Sequence, residues 1–159
     1  MSSIERRPAP HEVSLELPAA HCAASLAREV LRKFAAGEGV SSADIDVLDL
    51  VVSELFSNAV DHGGGQAAME ESDLEADARV RLHLRAVQGS WILSVADEGG
   101  GEPADVEPFL DPEAVPDLSD ERGRGFFLLA GMVDELSVGR SSDGRGLEFV
   151  ARKRPDGPR

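Results

Sequence analysis

Val52-Ser53-Glu54-Leu55-Phe56-Ser57-Asn58-Ala59-Val60-Asp61-His62, closed by Gly63-Gly64-Gly65, is the stretch from which the rest of the chain is read. With Ser41 or Ser42 as a cap, Ile45, Leu48, Val52, Leu55 and Ala59 fall on one face at about 100° per residue, which predicts a helix running toward His62. Three glycines stop it. Glu54, Asn58 and Asp61 fall within an arc of about 60° on roughly the opposite side. Glu54 and Asn58 are one turn apart, so both reach the same ligand. An amide oxygen suits Mg2+, and a neighbouring carboxylate orients or deprotonates a hydroxyl. The same pattern also fits an ordinary solvated helix face, and His62 either borders a site or packs at its edge.

Working toward the N-terminus, Pro18 is expected to open an alanine-rich helix ending near Ala36, before Gly37 and Gly39, with Cys22 packed in its core. His11 to Leu17 alternates at period two as a first strand, and residues 1–10 read as a loose tail. Toward the C-terminus, residues 66–77 read as an exposed acidic insertion. Val80, Leu82 and Leu84 alternate with Arg79, Arg81, His83 and Arg85, and Gly89-Ser90 turns that strand into a second, Trp91 to Ala96. Glu102 to Glu121 carries four prolines and many carboxylates but no lysine or arginine, and reads as a long structureless connection. A helix from Gly125 to Val133 and two strands, Leu136 to Val138 and Leu147 to Ala151, close the chain, with residues 155–159 as a second tail. The order predicts one α+β domain over residues 11–154, a two-layer sandwich whose mostly antiparallel mixed sheet carries helices on one face. Regular strand–helix alternation, which a doubly wound sheet needs, is absent.

Two further segments carry chemistry. Asp97 ends the Trp91 strand, where a carboxylate accepts a hydrogen bond from an adenine amine, and Gly99 and Gly101 let backbone pass close to the ring; an acidic turn has the same composition. Gly123-Arg124-Gly125 precedes a helical run, so its amides and the helix N-terminus favour phosphate. Arg122 and Arg124, the only basic side chains near the acidic connection, either meet a phosphate or pair with that connection. The third glycine of a dinucleotide fingerprint is Leu128 here, and neither a G-x-x-x-x-G-K-[ST] loop nor the motif set of ordinary protein kinases occurs.

Composition narrows the partners. A net charge of −14 over 159 residues argues against nucleic acid and anionic membrane. One cysteine excludes an intrachain disulfide, and the four histidines lack metal-ligand spacing. Without an apolar run of ~18 residues or a signal-peptide core, a cytoplasmic protein is expected.

Taken jointly, the three segments resemble the N, G1 and G2 boxes of the GHKL superfamily of Bergerat-fold ATPases, over about two thirds of the chain. Val52 to His62 is similar to the N box of the anti-sigma-factor branch of serine kinases. Asp97-Glu98-Gly99-Gly100-Gly101 is similar to its G1 box, and Gly123 to Leu129 with Met132 to Leu136 to its G2 box and following strand. The resemblance implies ATP and Mg2+ as cofactors, Asn58 on the metal, Glu54 as general base, and Asp97, Gly99 and Gly101 around adenine. It implies that Gly123 and Gly125 hinge an ATP lid over residues 102–122, with Asp61, Arg122 and Arg124 beside the nucleotide. It further implies a homodimer that sequesters a sigma factor and phosphorylates a serine of a small anti-anti-sigma (STAS-type) partner. The chain departs from the family where Leu147 replaces a threonine after Gly146, in the insertion after the N box, and in eight carboxylates across the lid. These departures keep a second reading open, a non-catalytic binding module of the same fold. A detached histidine-kinase catalytic domain is a third, and no preceding helix pair with an acceptor histidine favours it.

Overall fold

Strands and amphipathic helices assemble into two layers. The computed structural model describes residues 11–64, 67–74, 77–111, 113 and 119–155. The expected N-terminal tail, most of the C-terminal tail and parts of the insertion and lid lie outside them. In chain order the elements are β1 (His11–Pro18), α1 (Ala24–Gly37), α2 (Ser42–His62), β2 (Arg79–Val87), β3 (Ser90–Ala96), α3 (Pro103–Leu110), α4 (Glu121–Met132), β4 (Glu135–Arg140) and β5 (Leu147–Lys153). The sheet runs β1-β2-β3-β5-β4, and all four pairings are antiparallel, so the sheet anticipated as mixed has no parallel pair among the described residues.

Period-two patterning sets the register. Val80, Leu82, Leu84, Trp91, Leu93, Val95, Phe149 and Ala151 turn inward and are buried. They pack with Ala27, Leu31 and Ala35 of α1 and with Leu48, Val51, Val52, Leu55, Phe56 and Ala59 of α2. Alanines let α1 approach closely. The Trp91 indole donates to the Asp44 carbonyl at 3.3 Å, so its buried polar tip is satisfied. Arg79, Arg81, His83 and Arg85 lie half-buried on the other face of β2.

Several sequence expectations change. Pro18 ends β1 opposite Arg79 instead of opening a helix, because Ala19 N continues the edge by donating to the Ala78 carbonyl at 2.9 Å. A short 3-10 turn, His21–Ala23, intervenes, and it leaves Cys22 exposed. The residues after the N-box helix are not wholly exposed: Ala68 is buried, and the carbonyls of Ala68 and Met69 accept from His21 N and Cys22 N at 2.8 Å. The acidic connection contains α3, with Pro103 in its first turn, where the missing N–H costs nothing, and Val106 buried. Arg140 is a third basic neighbour of that connection, through a 2.7 Å ion pair with Glu102.

Candidate functional site

Ser41 caps α2 by accepting from Asp44 N, and the helix then runs 21 residues to Gly63. Opposite the sheet it is only partly solvated. Asn58 is only 9% exposed, while Glu54 and Asp61 remain exposed. α4 covers this side, and between the two helices lies a cleft of about 200 Å³ lined by Glu54, Ser57, Asn58, Asp61, His62, Asp120, Glu121, Arg122, Gly125, Phe126 and Leu129. Gly125 lies close under Glu54, whose Oε2 a Cβ on it would approach to 3.0 Å.

α4 begins earlier than its glycines suggest. Asp120 is the N-cap, and its Oδ1 accepts from Arg122 N at 2.9 Å and Gly123 N at 3.4 Å. Gly123, Arg124 and Gly125 are therefore helical, not a free turn. Arg122 reaches 64 residues back to donate from Nε to Asn58 Oδ1 at 2.9 Å, and its guanidinium lies 5.7 Å from the Phe126 ring centroid. Asn58 Nδ2 is buried without a hydrogen-bond partner. Asp61 is held by His21, Nε2 to Oδ1 at 2.8 Å. Arg124 is exposed and does not line the cleft.

A second cluster sits where β3 meets β5. Asp97 is 3% exposed, and its Oδ1 accepts from Gly99 N at 3.0 Å and Leu147 N at 3.2 Å, with both bonds on that one oxygen. Glycines press around it. A Cβ on Gly63 would sit 2.5 Å from Asp97 Oδ2, one on Gly146 would collide with Oδ1, and one on Gly99 would sit 2.5 Å from the Gly63 carbonyl carbon. Gly101 faces Leu147, whose Cδ1 a Cβ would approach to 3.2 Å. Burial raises the Asp97 pKa, against the backbone bonds from Gly99 and Leu147 and the charge of Arg122. Burial likewise lowers that of Arg122, opposed by Asp97 and Asp120.

The structure thus gathers Glu54, Asn58, Asp61, Arg122 and Gly125 in one cleft and Asp97, Gly99 and Gly101 in an adjoining corner. The sequence reading missed Gly63 and Gly146 as walls of the Asp97 pocket, and missed Asp120 and Phe126. An Asp just ahead of a glycine-interrupted helical run is the one local signal that would have found Asp120. No group of three or more histidines, cysteines or carboxylates suited to a metal exists among the described residues. The single amide oxygen of Asn58 matches Mg2+, whose remaining ligands are ordinarily water and nucleotide phosphates.

Residues 17–151 match the family of histidine kinase-like ATPase domains. The anti-sigma F factor of Halalkalibacterium halodurans is 30% identical over 131 residues, which span 80% of this chain and 82% of that protein.

Proposed function

Because the chain belongs to the histidine kinase-like ATPase family, we propose that it is an anti-sigma factor which binds Mg-ATP, holds a sigma factor and phosphorylates a serine of an anti-anti-sigma partner. The observation that carries this is the pairing of Glu54 and Asn58 on one wall of a cleft that adjoins the buried Asp97. Asp97 keeps Oδ1 on the backbone and turns Oδ2 to the adenine amine, with Gly63, Gly99 and Gly146 excluding side chains from that corner. Asn58 Oδ1 would hold the cation, which would supply charge neutralisation for the phosphates. Glu54, at the exposed mouth of the cleft, would take the proton of the acceptor serine as its oxygen bonds to the terminal phosphorus and the bond from that phosphorus to the β–γ bridging oxygen breaks, releasing ADP. Arg122 and the amides of α4 serve the phosphates. In this reading residues 102–122 form the lid of a single domain over residues 11–154, and the molecule works as a homodimer in the cytoplasm.

A non-catalytic binding module is the alternative favoured by Leu147, which brings an apolar side chain beside Gly101, and by the acidic lid. Calorimetry tests the common premise: wild type binds Mg-ATP, and Asp97→Ala and Asn58→Ala each lose at least ~10-fold in affinity. No heat of binding in the wild type sinks the nucleotide reading. Stoichiometric serine phosphorylation of a cognate partner excludes the non-catalytic alternative, and its absence with bound Mg-ATP favours it.

A further inference from the structure

The two polar features of the cleft meant for ligand are each satisfied by the protein's own charge. Asn58 Oδ1, the one amide oxygen available to a cation, accepts from the Arg122 guanidinium at 2.9 Å. The first amides of α4, the natural seat of a phosphate, are bonded to the Asp120 carboxylate. A cation stands on the cation ligand and an anion on the anion ligand, from residues two apart on one helix turn. The Phe126 ring under Arg122 holds the guanidinium over the cleft. The arrangement is incomplete as packing, because Asn58 Nδ2 stays buried and unpaired. Burying an unpaired donor is unfavourable, so the closed arrangement carries a penalty.

We propose that Arg122 and Asp120 form an autoinhibitory latch, in which the first turn of α4 mimics a metal–phosphate pair and closes the cleft until Mg-nucleotide displaces both groups. The proposal rests on the nucleotide-binding reading above. It makes entry, and not only affinity, the regulated quantity: the Arg122–Asn58 bond must break before the cation reaches Oδ1. Once freed, Arg122 is available to the phosphates, so the residue that slows entry also slows departure.

Stopped-flow association of a fluorescent N-methylanthraniloyl ATP with magnesium separates these effects. Removing a cation ordinarily slows the arrival of an anion. The latch predicts the reverse: Arg122→Ala associates roughly 10-fold faster than wild type and also dissociates faster, the gain matching one lost charge-assisted hydrogen bond. Asp120→Asn keeps a capping oxygen but removes the charge, and is expected to associate several-fold faster. Glu121→Gln removes an equal charge from the same cleft and should gain distinctly less. Arg122→Ala at or below the wild-type association rate overturns the latch, as does an equal gain in Asp120→Asn and Glu121→Gln. If Arg122→Ala fails to fold, the comparison of the two exposed-residue variants decides alone. Absence of any nucleotide signal in wild type overturns instead the reading on which the latch rests.

Discussion

The Asp97 corner and the α2–α4 cleft are built on opposite principles. At the corner, two backbone N–H groups from separate segments converge on Oδ1, and three glycines close in to distances no Cβ tolerates. In the cleft, polar side chains are held by other side chains or helix amides: Asn58 by Arg122, Asp120 by helix amides, Asp61 by His21. On the proposed nucleotide reading, a preformed base-reading end beside a provisionally occupied phosphate end would give a site whose specificity is rigid and whose access is adjustable.

The largest expected difference between the two regions is in chemistry. Glu54→Ala should reduce phosphotransfer by about 10²–10⁴-fold, the range for a general base, measured with radiolabelled ATP and a cognate partner. Because Glu54 is exposed, its loss should change folding stability by no more than ~0.5 kcal/mol in urea titration. Transfer at the wild-type rate would remove Glu54 from the mechanism.

Gly146→Ala inverts that pattern. Its Cβ would collide with the Asp97 carboxylate and with the Asp97 main chain, which cannot swing aside. A cost of about 2–3 kcal/mol follows from overpacking a buried site, together with loss of nucleotide binding. Gly37→Ala is the matched control, since nothing lies within 4 Å of its Cβ position. Equal melting temperatures for the two variants would contradict the rigid corner.

Sequence legibility follows the same divide. The helix α2 and the β2–β3 hairpin were readable because each buries a periodic face over many residues. Asp97 was readable as a carboxylate at a strand end followed by glycines. Its walls were not, since Gly63 reads locally as a helix stop and Gly146 as the glycine of the last strand. α3 was hidden because proline and carboxylates mimic loop composition, although proline suits the first turn of a helix. The start of α4 was hidden because Gly123 and Gly125 look like a turn, whereas the Asp120 cap holds them helical. The Arg122–Asn58 bond joins residues 64 apart, and no local pattern encodes it.

The corner also predicts a pH signature. Burial holds the Asp97 pKa above its ordinary value of 3.8, so the folded state binds the proton more tightly than the unfolded chain. Stability is therefore greatest below the unfolded value and falls as pH rises through the folded one. Asp97→Asn removes this titration while keeping an acceptor for Gly99 N and Leu147 N. Its unfolding free energy, compared with wild type from pH 3 to pH 7, should decline less over the acidic range, and at neutral pH it should match or exceed wild type while nucleotide binding is lost. A steeper decline in the variant would mean that the ionised carboxylate is favoured by its backbone donors more than burial disfavours it.

The smallest effect tests the cleft alone. Asp120 and Ser41 both cap long helices, Asp120 by accepting from Arg122 N and Gly123 N and Ser41 from Asp44 N. Removing either cap by alanine costs roughly 1 kcal/mol in an ordinary helix. Ser41→Ala should lose that full amount, because α2 is the spine of the core. Asp120→Ala should lose less in global unfolding and show its effect as faster amide exchange confined to the first turn of α4, since that turn is poised to open while the core stays folded. If Asp120→Ala instead lowers global stability as much as Ser41→Ala, the first turn of α4 unfolds only with the core, and the contrast between a rigid corner and an adjustable cleft fails.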